Sequence, residues 1–488
     1  MTAGSPDPAA QPGAVSPLAP RGLRSFFADS LVFGFGLAAA PIALVVATPF
    51  IARELGPAQY GVVDLLTALS TALGVVALAG LDSAVARSYF DYDDATRRLV
   101  VLRTAVAGGL VTAVVLSAAA IAAVVTFVAV SDREVTRAQF VAAVIAFVLI
   151  PLANGQVLAR AAFLLGRMRR RYAVAGILYG VLGVASAVAL VLAGAGPAGY
   201  FLGLCVGALA SLLFAGRLGN LASRGTWFDR HELRRMLRYG LPIVPASLAI
   251  WAIFAIDRTL IASMRGVAEA GYYGLASRVA APLILVASAF AVAWGPFIID
   301  QSPARRLDLR ARALTVVVAC MGAGYVALVA FEKPLVALLG GSEFVNHDSQ
   351  RAVPGIALGW VGWAAATVLS AEFVVVRKTY VIAVVTALTA TVNVLLYVLL
   401  IPPFGFVGAA WATAASFLLL AAGYWAWERR LNPAPYRVAR LALIGLTLAV
   451  STAVLVAWID EDAWALRGAV ALVAAAALGA TAAKERRS

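Results

Sequence analysis

Long apolar stretches separated by short polar segments dominate this sequence. A helix needs about 20 apolar residues to cross a hydrocarbon core about 30 Å thick. Fourteen windows meet that length, at 30–51, 61–85, 104–130, 138–159, 172–194, 197–216, 239–262, 270–298, 313–332, 353–376, 379–401, 405–427, 441–459 and 463–483. The pattern predicts an all-α polytopic membrane protein with 14 transmembrane helices.

Two pairs of segments indicate an internal repeat. IARELGPAQYGVVD from Ile51 aligns without a gap with IASMRGVAEAGYYG from Ile261, and PAGYFLG from Pro197 resembles PFGFVGA from Pro403. The offsets are 210 and 206 residues. Six predicted spans separate the copies, so both copies enter the bilayer in the same direction, as in a parallel repeat. We therefore expect two six-helix lobes and two additional C-terminal helices.

The repeat also predicts how the chain is divided. Residues 1–24, rich in Pro, Ala, Ser and Gly, read as a disordered cytoplasmic tail. The first lobe, with spans 1–6, covers 25–217, and a basic cytoplasmic linker follows at 218–238. The second lobe, with spans 7–12, covers 239–428. Spans 13 and 14 and a cytoplasmic C-terminus occupy 429–488.

Composition and charge support this class and orient the chain. Hydrophobic residues make up 62% of the 488 residues and the mean hydropathy is +0.90, which excludes a soluble globule with one core. In a soluble protein a net charge of +14 would suggest nucleic acid. With both termini in the cytoplasm, however, 30 of the 39 basic residues fall in cytoplasmic segments and seven in external ones. This asymmetry follows the positive-inside rule, and we expect no nucleic-acid partner.

The sequence carries no recognisable catalytic chemistry. The two cysteines lie within apolar runs, the two histidines lie far apart in loops, and phosphate-binding loops and nucleophile elbows are absent. External connections are very short except for 333–352, so no sizeable extramembrane loop is available to hold an active site. We therefore expect neither an enzyme nor a cofactor or metal site.

Three charged residues lie inside predicted spans. Asp257 and Arg258 are adjacent in the seventh span, and Arg278 lies about eight residues, roughly 12 Å, into the eighth. A charge at the centre of a lipid-facing helix costs about 2.5 to 3.5 kcal/mol on insertion scales. These side chains are therefore expected to face protein or water.

Four motifs resemble those of a known family. They are ELGPAQYG after the first span, LRYGLPIVPASLAIWAIFAIDRTLIAS in the seventh, EAGYYGLASR opening the eighth and IPPFGFVGAAWATAAS entering the twelfth. The sequence resembles Wzx-type polysaccharide flippases of the multidrug/oligosaccharidyl-lipid/polysaccharide exporter (MOP) superfamily over roughly residues 25–430. The resemblance implies a bacterial cytoplasmic-membrane protein of the cell envelope. Its implied activity is moving an undecaprenyl-diphosphate-linked oligosaccharide across the bilayer by alternating access. The implied partners are membrane lipids, polysaccharide polymerase and glycosyltransferases.

The intramembrane charges acquire roles in that setting. Cationic side chains in a wet cavity would replace part of the hydration of a diphosphate, with Arg278 the first candidate and Arg258 the second. Consecutive helical residues point about 100° apart, so Asp257 and Arg258 are not expected to face one cavity together. Asp257 could instead pair with Arg278 as a structural lock, or hold a coupling proton or sodium ion.

Other polar residues within spans are secondary candidates. Asp64 and Glu372 are candidates for ion coupling or salt bridges, with water near a helix end the plainer interpretation of each. Asn154 and Gln156 follow Pro151 and, like Asn393, could line the cavity, although the first two could equally bond a freed carbonyl. Two other functions remain open for the same architecture: a cation-coupled multidrug exporter or a peptidoglycan lipid-precursor flippase. A membrane scaffold for cell-envelope enzymes is an alternative of another class.

Overall fold

In a computed structural model, all regular secondary structure of the described residues is helical. The structure describes residues 23–130, 135–166, 168–219, 221, 225–299, 301–376, 378–431 and 433–487, with side chains from Ala40 onward apart from scattered positions. The predicted tail at 1–24 lies outside these residues except for its last two. The first eight helices are α1 Leu23–Leu78, α2 Leu81–Phe90, α3 Ala95–Val130, α4 Arg137–Leu165, α5 Arg169–Ile177, α6 Gly183–Leu190, α7 Gly196–Leu218 and α8 Arg230–Gly240. The other eight are α9 Val244–Arg265, α10 Val267–Ile299, α11 Pro303–Ala330, α12 Glu332–Gly340, α13 His347–Val375, α14 Thr379–Leu431, α15 Val438–Ala457 and α16 Trp464–Arg487.

These helices supply the 14 predicted spans, although several spans run together. In the described part of the chain, ten stretches are long and apolar enough to cross a membrane, and three of them, of 49 to 52 residues, are each more than twice the required length. The longest helices turn back on themselves at Gly56 and Gly405, which adopt φ of 65° and 57°. A side chain at such positive φ is strained, which explains glycine at both turns. α9 supplies the remaining span.

The backbone confirms the parallel repeat and corrects part of its register. Gly56 and Gly266, 210 residues apart, both break the helix with positive φ. Beyond α4 and α13, the amides of Met168 and Lys378 each donate to the carbonyl five residues earlier at 2.8 Å. Gly196 and Gly405 share φ and ψ of 56°, −147° and 57°, −144°. The sequence comparison had instead aligned Pro197 with Pro403, a misalignment of three residues caused by the many small residues there.

The two lobes meet where glycines remove the side chains between helices. Gly61 on α1 and Gly271 on α10 are equivalent in the repeat, and they face each other. A Cβ on Gly61 would come within 1.7 Å of the Val267 carbonyl oxygen, and one on Gly271 within 2.0 Å of the Pro57 carbonyl oxygen. Small residues allow such close backbone approach between membrane helices. α1 and α10 are therefore the central pair of the molecule.

Alternation of the spans gives the molecule two faces. The face that holds the C-terminal ends of α2, α7, α10 and α14 carries most of the arginines in the described part of the chain, and we call it the basic face. Here the amphipathic α8 packs on α2 and α3, burying Met236. The opposite face holds the turns at Gly56 and Gly266, the segment 331–346 and the 458–463 turn.

Candidate functional site

A small cavity lies at the junction of the two lobes. Its walls come from α1 and α7 of the first lobe, while Arg278 of α10 enters from the second lobe. The space in it that the centre of a water molecule can occupy is about 10 Å³. The polar side chains at its surface are Thr48, Tyr60, Asp64, Thr67, Tyr200 and Arg278. A cationic group thus faces hydroxyls and one carboxylate inside the membrane-spanning part of the protein.

Arg258 joins the lobes beside this cavity. Its Nε lies 2.8 Å from Oδ2 of Asp64 on α1, and its NH1 lies 2.8 Å from Oδ1 of Asp257. The guanidinium also lies over the Tyr273 ring, 5.5 Å from its centroid. Although consecutive helical positions point about 100° apart, the long arginine side chain folds back along the helix and reaches Asp257.

Asp257 begins a chain of buried hydrogen-bonding groups in the second lobe. The Tyr273 hydroxyl donates to Oδ2 of Asp257 at 2.5 Å and lies 3.4 Å from the Thr413 hydroxyl. Thr413 is in turn 2.9 Å from the Tyr397 hydroxyl. With Arg258 on its other oxygen, Asp257 is held by partners from α9 and α10. The alternative pairing of Asp257 with Arg278 does not occur.

The charges at the junction are unevenly compensated. Arg258 serves two carboxylates, those of Asp64 and Asp257. Arg278 forms no ion pair with any carboxylate in the described part of the chain. A buried or half-buried cation without an anionic partner is costly. Of the two arginines, Arg278 is therefore the one whose charge is available to an anionic ligand.

The three amide side chains predicted for the cavity lie elsewhere. Asn154 donates to the Gly74 carbonyl at 2.9 Å and so ties α4 to α1. The Gln156 amide oxygen is 3.4 Å from both the Ser211 hydroxyl and Arg160. Asn393 donates to the Ser416 hydroxyl at 2.9 Å. Their deep positions in the apolar helices reflect interhelical bonding, because buried amides must be satisfied within the protein.

Glu372 belongs to a second buried cluster that the sequence did not predict. It is buried rather than solvated at a helix end, and its carboxylate lies 3.0 Å from Nη1 of Arg310. The same nitrogen is 3.0 Å from Glu428, which accepts a hydrogen bond from the Tyr436 hydroxyl.

The Arg310 cluster binds three helices together near the basic face. Arg310 and Glu428 are fully buried, so α11, α13 and α14 are joined by charges that water does not reach. Tyr436 lies in the connection that follows α14, and burial, together with the Glu428 carboxylate, raises its pKa. The sequence contained one signal for this cluster, the carboxylate of Glu372 within an apolar run. A buried carboxylate requires a cation, and a neighbouring helix had to supply it.

Comparison with solved structures identifies the fold. A lipid II flippase MurJ in an inward closed conformation superimposes with a TM-score of 0.74 at 12% sequence identity, covering 92% of this chain and 98% of that one. An inward-facing multidrug resistance MATE family transporter of the MOP superfamily gives 0.57 at 16% identity, covering 83% and 96%. A MOP superfamily transporter from Pyrococcus furiosus, described as having a binding pocket of reverse polarity, also gives 0.57 at 16% identity, covering 83% and 95%.

These likenesses define the class: a multi-pass membrane protein with the fold of the MOP superfamily transporters. The sequence profile of the family described as "Polysaccharide biosynthesis protein" matches residues 30–301. The match covers more than half of the chain, so the chain belongs to that family. A search of curated proteins found no match.

Proposed function

We propose that this protein moves an undecaprenyl-diphosphate-linked oligosaccharide across the bacterial cytoplasmic membrane by alternating access. The observation that carries the proposal is Arg278, a guanidinium in a cavity between two lobes that has no carboxylate partner in the described part of the chain. A diphosphate needs such cations, because lipid does not solvate its charge. Membership of a polysaccharide biosynthesis family supports a glycan as the substrate.

The orientation follows from the distribution of arginine. With the basic face in the cytoplasm, both termini are cytoplasmic and the Gly56 and Gly266 turns are external. Anionic lipid headgroups and the polymerase and glycosyltransferases of the pathway are the expected partners. In this arrangement the protein translocates its substrate and is not an enzyme.

Transport requires the lobes to separate. The cavity has about 10 Å³ of space for the centre of a water molecule, which is room for about one water, so an oligosaccharide headgroup needs a much wider opening. The Asp64–Arg258 ion pair crosses from α1 to α9 and therefore joins the lobes. Breaking this contact would open the cavity and would leave Arg258 able to share the diphosphate with Arg278. A lock in one state and a substrate contact in another are compatible roles for the same side chain.

Two related functions follow from the same fold. The chain of oxygens from Asp257 to Tyr397 is a candidate path or site for a proton or sodium ion, which would favour an ion-coupled exporter. A lipid-precursor flippase would also use Arg278, because its substrate carries a diphosphate too. A cationic drug would be repelled by Arg278, and this difference separates drug export from the other two functions.

The proposal is tested with vesicles that contain the purified protein and a fluorescent undecaprenyl-diphosphate oligosaccharide. Arg278→Gln is expected to lower the rate of translocation by at least about tenfold, and Arg278→Lys to retain more activity, because it keeps the charge. Arg351→Gln is the matched control, since Arg351 is an exposed arginine on the opposite face. Unchanged translocation by correctly folded Arg278→Gln protein would refute the role of the charge. Replacing the glycan lipid by lipid II or by a cationic drug in the same vesicles identifies the substrate class.

A further inference from the structure

The longest connection on the opposite face is folded and reaches across the lobe boundary. Residues 332–346 lie between α11 and α13 of the second lobe and comprise α12, the Gly341 turn and a 3-10 turn at Ser342–Phe344. We call this segment the clasp. The proposed transport role of the cavity and its charges does not explain why the clasp is folded.

The first contact of the clasp with the other lobe is made by Arg53 of α1. Its NH2 donates to the Leu338 carbonyl oxygen at 2.7 Å and lies 3.3 Å from that of Ala337. These carbonyls end α12, where a helix has unpaired oxygens and partial negative charge. The Glu343 carboxylate lies so close to Gly56 that a Cβ there would approach it to 3.1 Å.

The second contact is an aromatic side chain inserted between the lobes. Phe344 is fully buried and meets Tyr60 of α1 edge to face, with the ring centroids 5.8 Å apart. It meets Tyr272 of α10 in the same way at 5.7 Å. Tyr60 also lines the cavity that holds Arg278. Phe344 therefore covers the cavity wall on the side of the opposite face.

The base of the clasp is fixed to its own lobe and to the appended helices. The Lys333 ammonium lies 2.7 Å from Asp462, and Glu332 lies 3.3 Å from Arg467 of α16. The C-terminal end of α12 and the turn that follows it contact the first lobe. A segment anchored at one end and in contact across the boundary at the other resists separation of the lobes on this face.

We propose that the clasp is the latch of the outer gate: Arg53 and Phe344 hold the opposite face closed, and both contacts must break before the cavity opens outward. Edge-to-face aromatic pairs and hydrogen bonds to charged groups each stabilise the closed arrangement. The inference depends on the two-lobe fold and its orientation, and is independent of the substrate.

The test measures access to the cavity from outside the cell. Thr67, which lines the cavity, is replaced by cysteine in a protein that also carries Cys205→Ala and Cys320→Ala, and intact cells are treated with a membrane-impermeant maleimide. Arg53→Ala or Phe344→Ala is expected to raise the labelling rate about tenfold, the change that about 1.4 kcal/mol produces in an equilibrium.

Matched substitutions serve as controls. Arg351→Ala and Phe404→Ala remove an exposed arginine and an exposed phenylalanine on the same face, and the labelling rate is expected to stay within about twofold. Phe344→Leu, which keeps an apolar side chain, gives an intermediate rate and replaces Phe344→Ala if that protein does not elute as a single species.

Two results would overturn the latch. The first is an unchanged labelling rate in both clasp variants, and the second is an equal rise in the controls. Labelling of permeabilised membranes shows separately whether the cysteine faces the other side, which would refute the orientation. Because no substrate is used, a failed latch is distinguishable from a failed transport function.

Discussion

Removing the charge of Arg258 should destabilise the protein more than removing the charge of Asp64 or of Arg278. In Arg258→Gln the carboxylates of Asp64 and Asp257 both lose their cation, while in Asp64→Asn the guanidinium keeps Asp257 at 2.8 Å. Arg278→Gln removes a cation that has no carboxylate partner in the described part of the chain. The three substitutions therefore differ in outcome: Arg258→Gln leaves two carboxylates without this cation, Asp64→Asn leaves the guanidinium paired with Asp257, and Arg278→Gln leaves no carboxylate without its partner.

The magnitudes follow from burial and distance. The side chains of Asp64 and Arg258 are 6% and 18% exposed, so the pair is largely shielded from water. Removing one partner of a buried pair costs about 3 to 5 kcal/mol, because the other charge is left uncompensated. We expect that loss for Arg258→Gln. Asp64→Asn loses one charge-assisted hydrogen bond, worth about 1.5 to 3 kcal/mol. Arg278→Gln is expected to be neutral or stabilising.

The double variant makes the comparison quantitative. Asp64→Asn combined with Arg258→Gln removes both members of the pair, so its loss should be smaller than the sum of the two single losses by about 1 to 3 kcal/mol. Thermal unfolding of the purified protein in one detergent, followed by light scattering and by elution as a single species, ranks the variants. A midpoint for Arg258→Gln equal to or above that of Asp64→Asn would refute the proposed charge balance.

Three further predictions concern other parts of the molecule. Arg310→Met should destabilise the protein by about 3 to 5 kcal/mol, because it removes the cation that two buried carboxylates share. Arg312→Met, at the half-exposed neighbouring pair, should cost about 1 kcal/mol or less, and thermal unfolding measures both. Gly61→Ala should prevent close contact of the lobes and raise external labelling of Thr67→Cys, while Gly216→Ala, with no atom within 4 Å of the added Cβ, should not. At the opposite face, beyond the end of α11, burial raises the pKa of Glu332 to about 8 despite its cationic neighbour. The folded protein therefore keeps this proton while the unfolded chain loses it near pH 4.5, so stability should fall as pH rises from about 5 to about 8, and Glu332→Gln should flatten that profile.

The architecture could be predicted from the sequence because it follows from simple periodic constraints. Every span must be about 20 apolar residues long, and basic residues mark alternate connections. The repeat from Ile51 and Ile261 was readable because Gly56, Gly61 and their counterparts are required by positive φ or by close backbone approach. The segments near Pro197 and Pro403 were aligned in the wrong register. The turn there requires a single glycine with positive φ in each copy, Gly196 and Gly405, and the surrounding small residues do not mark its position.

The pairing of charges could not be predicted, because it depends on side-chain reach and on contacts between distant helices. Sequence spacing correctly puts Asp257 and Arg258 about 100° apart at the backbone, but a flexible arginine crosses that angle. Arg310 lies among basic residues that the topology rule explains already, so nothing marked it as buried. Glu372 was a candidate for a salt bridge, but Arg310 could not be named as its partner, because the sequence does not tell which helices are adjacent.

The two arginine sites differ in a way that bears on function. Arg310 is paired with Glu372 and Glu428 and holds helices of one lobe together. Arg278 lies at the boundary between the lobes, and within the described part of the chain its charge faces hydroxyls and the Asp64 carboxylate that is already paired with Arg258. An uncompensated cation lowers stability in the closed state. A substrate that brings its own negative charge would remove that cost as it enters, and binding would then favour the open states that admit it.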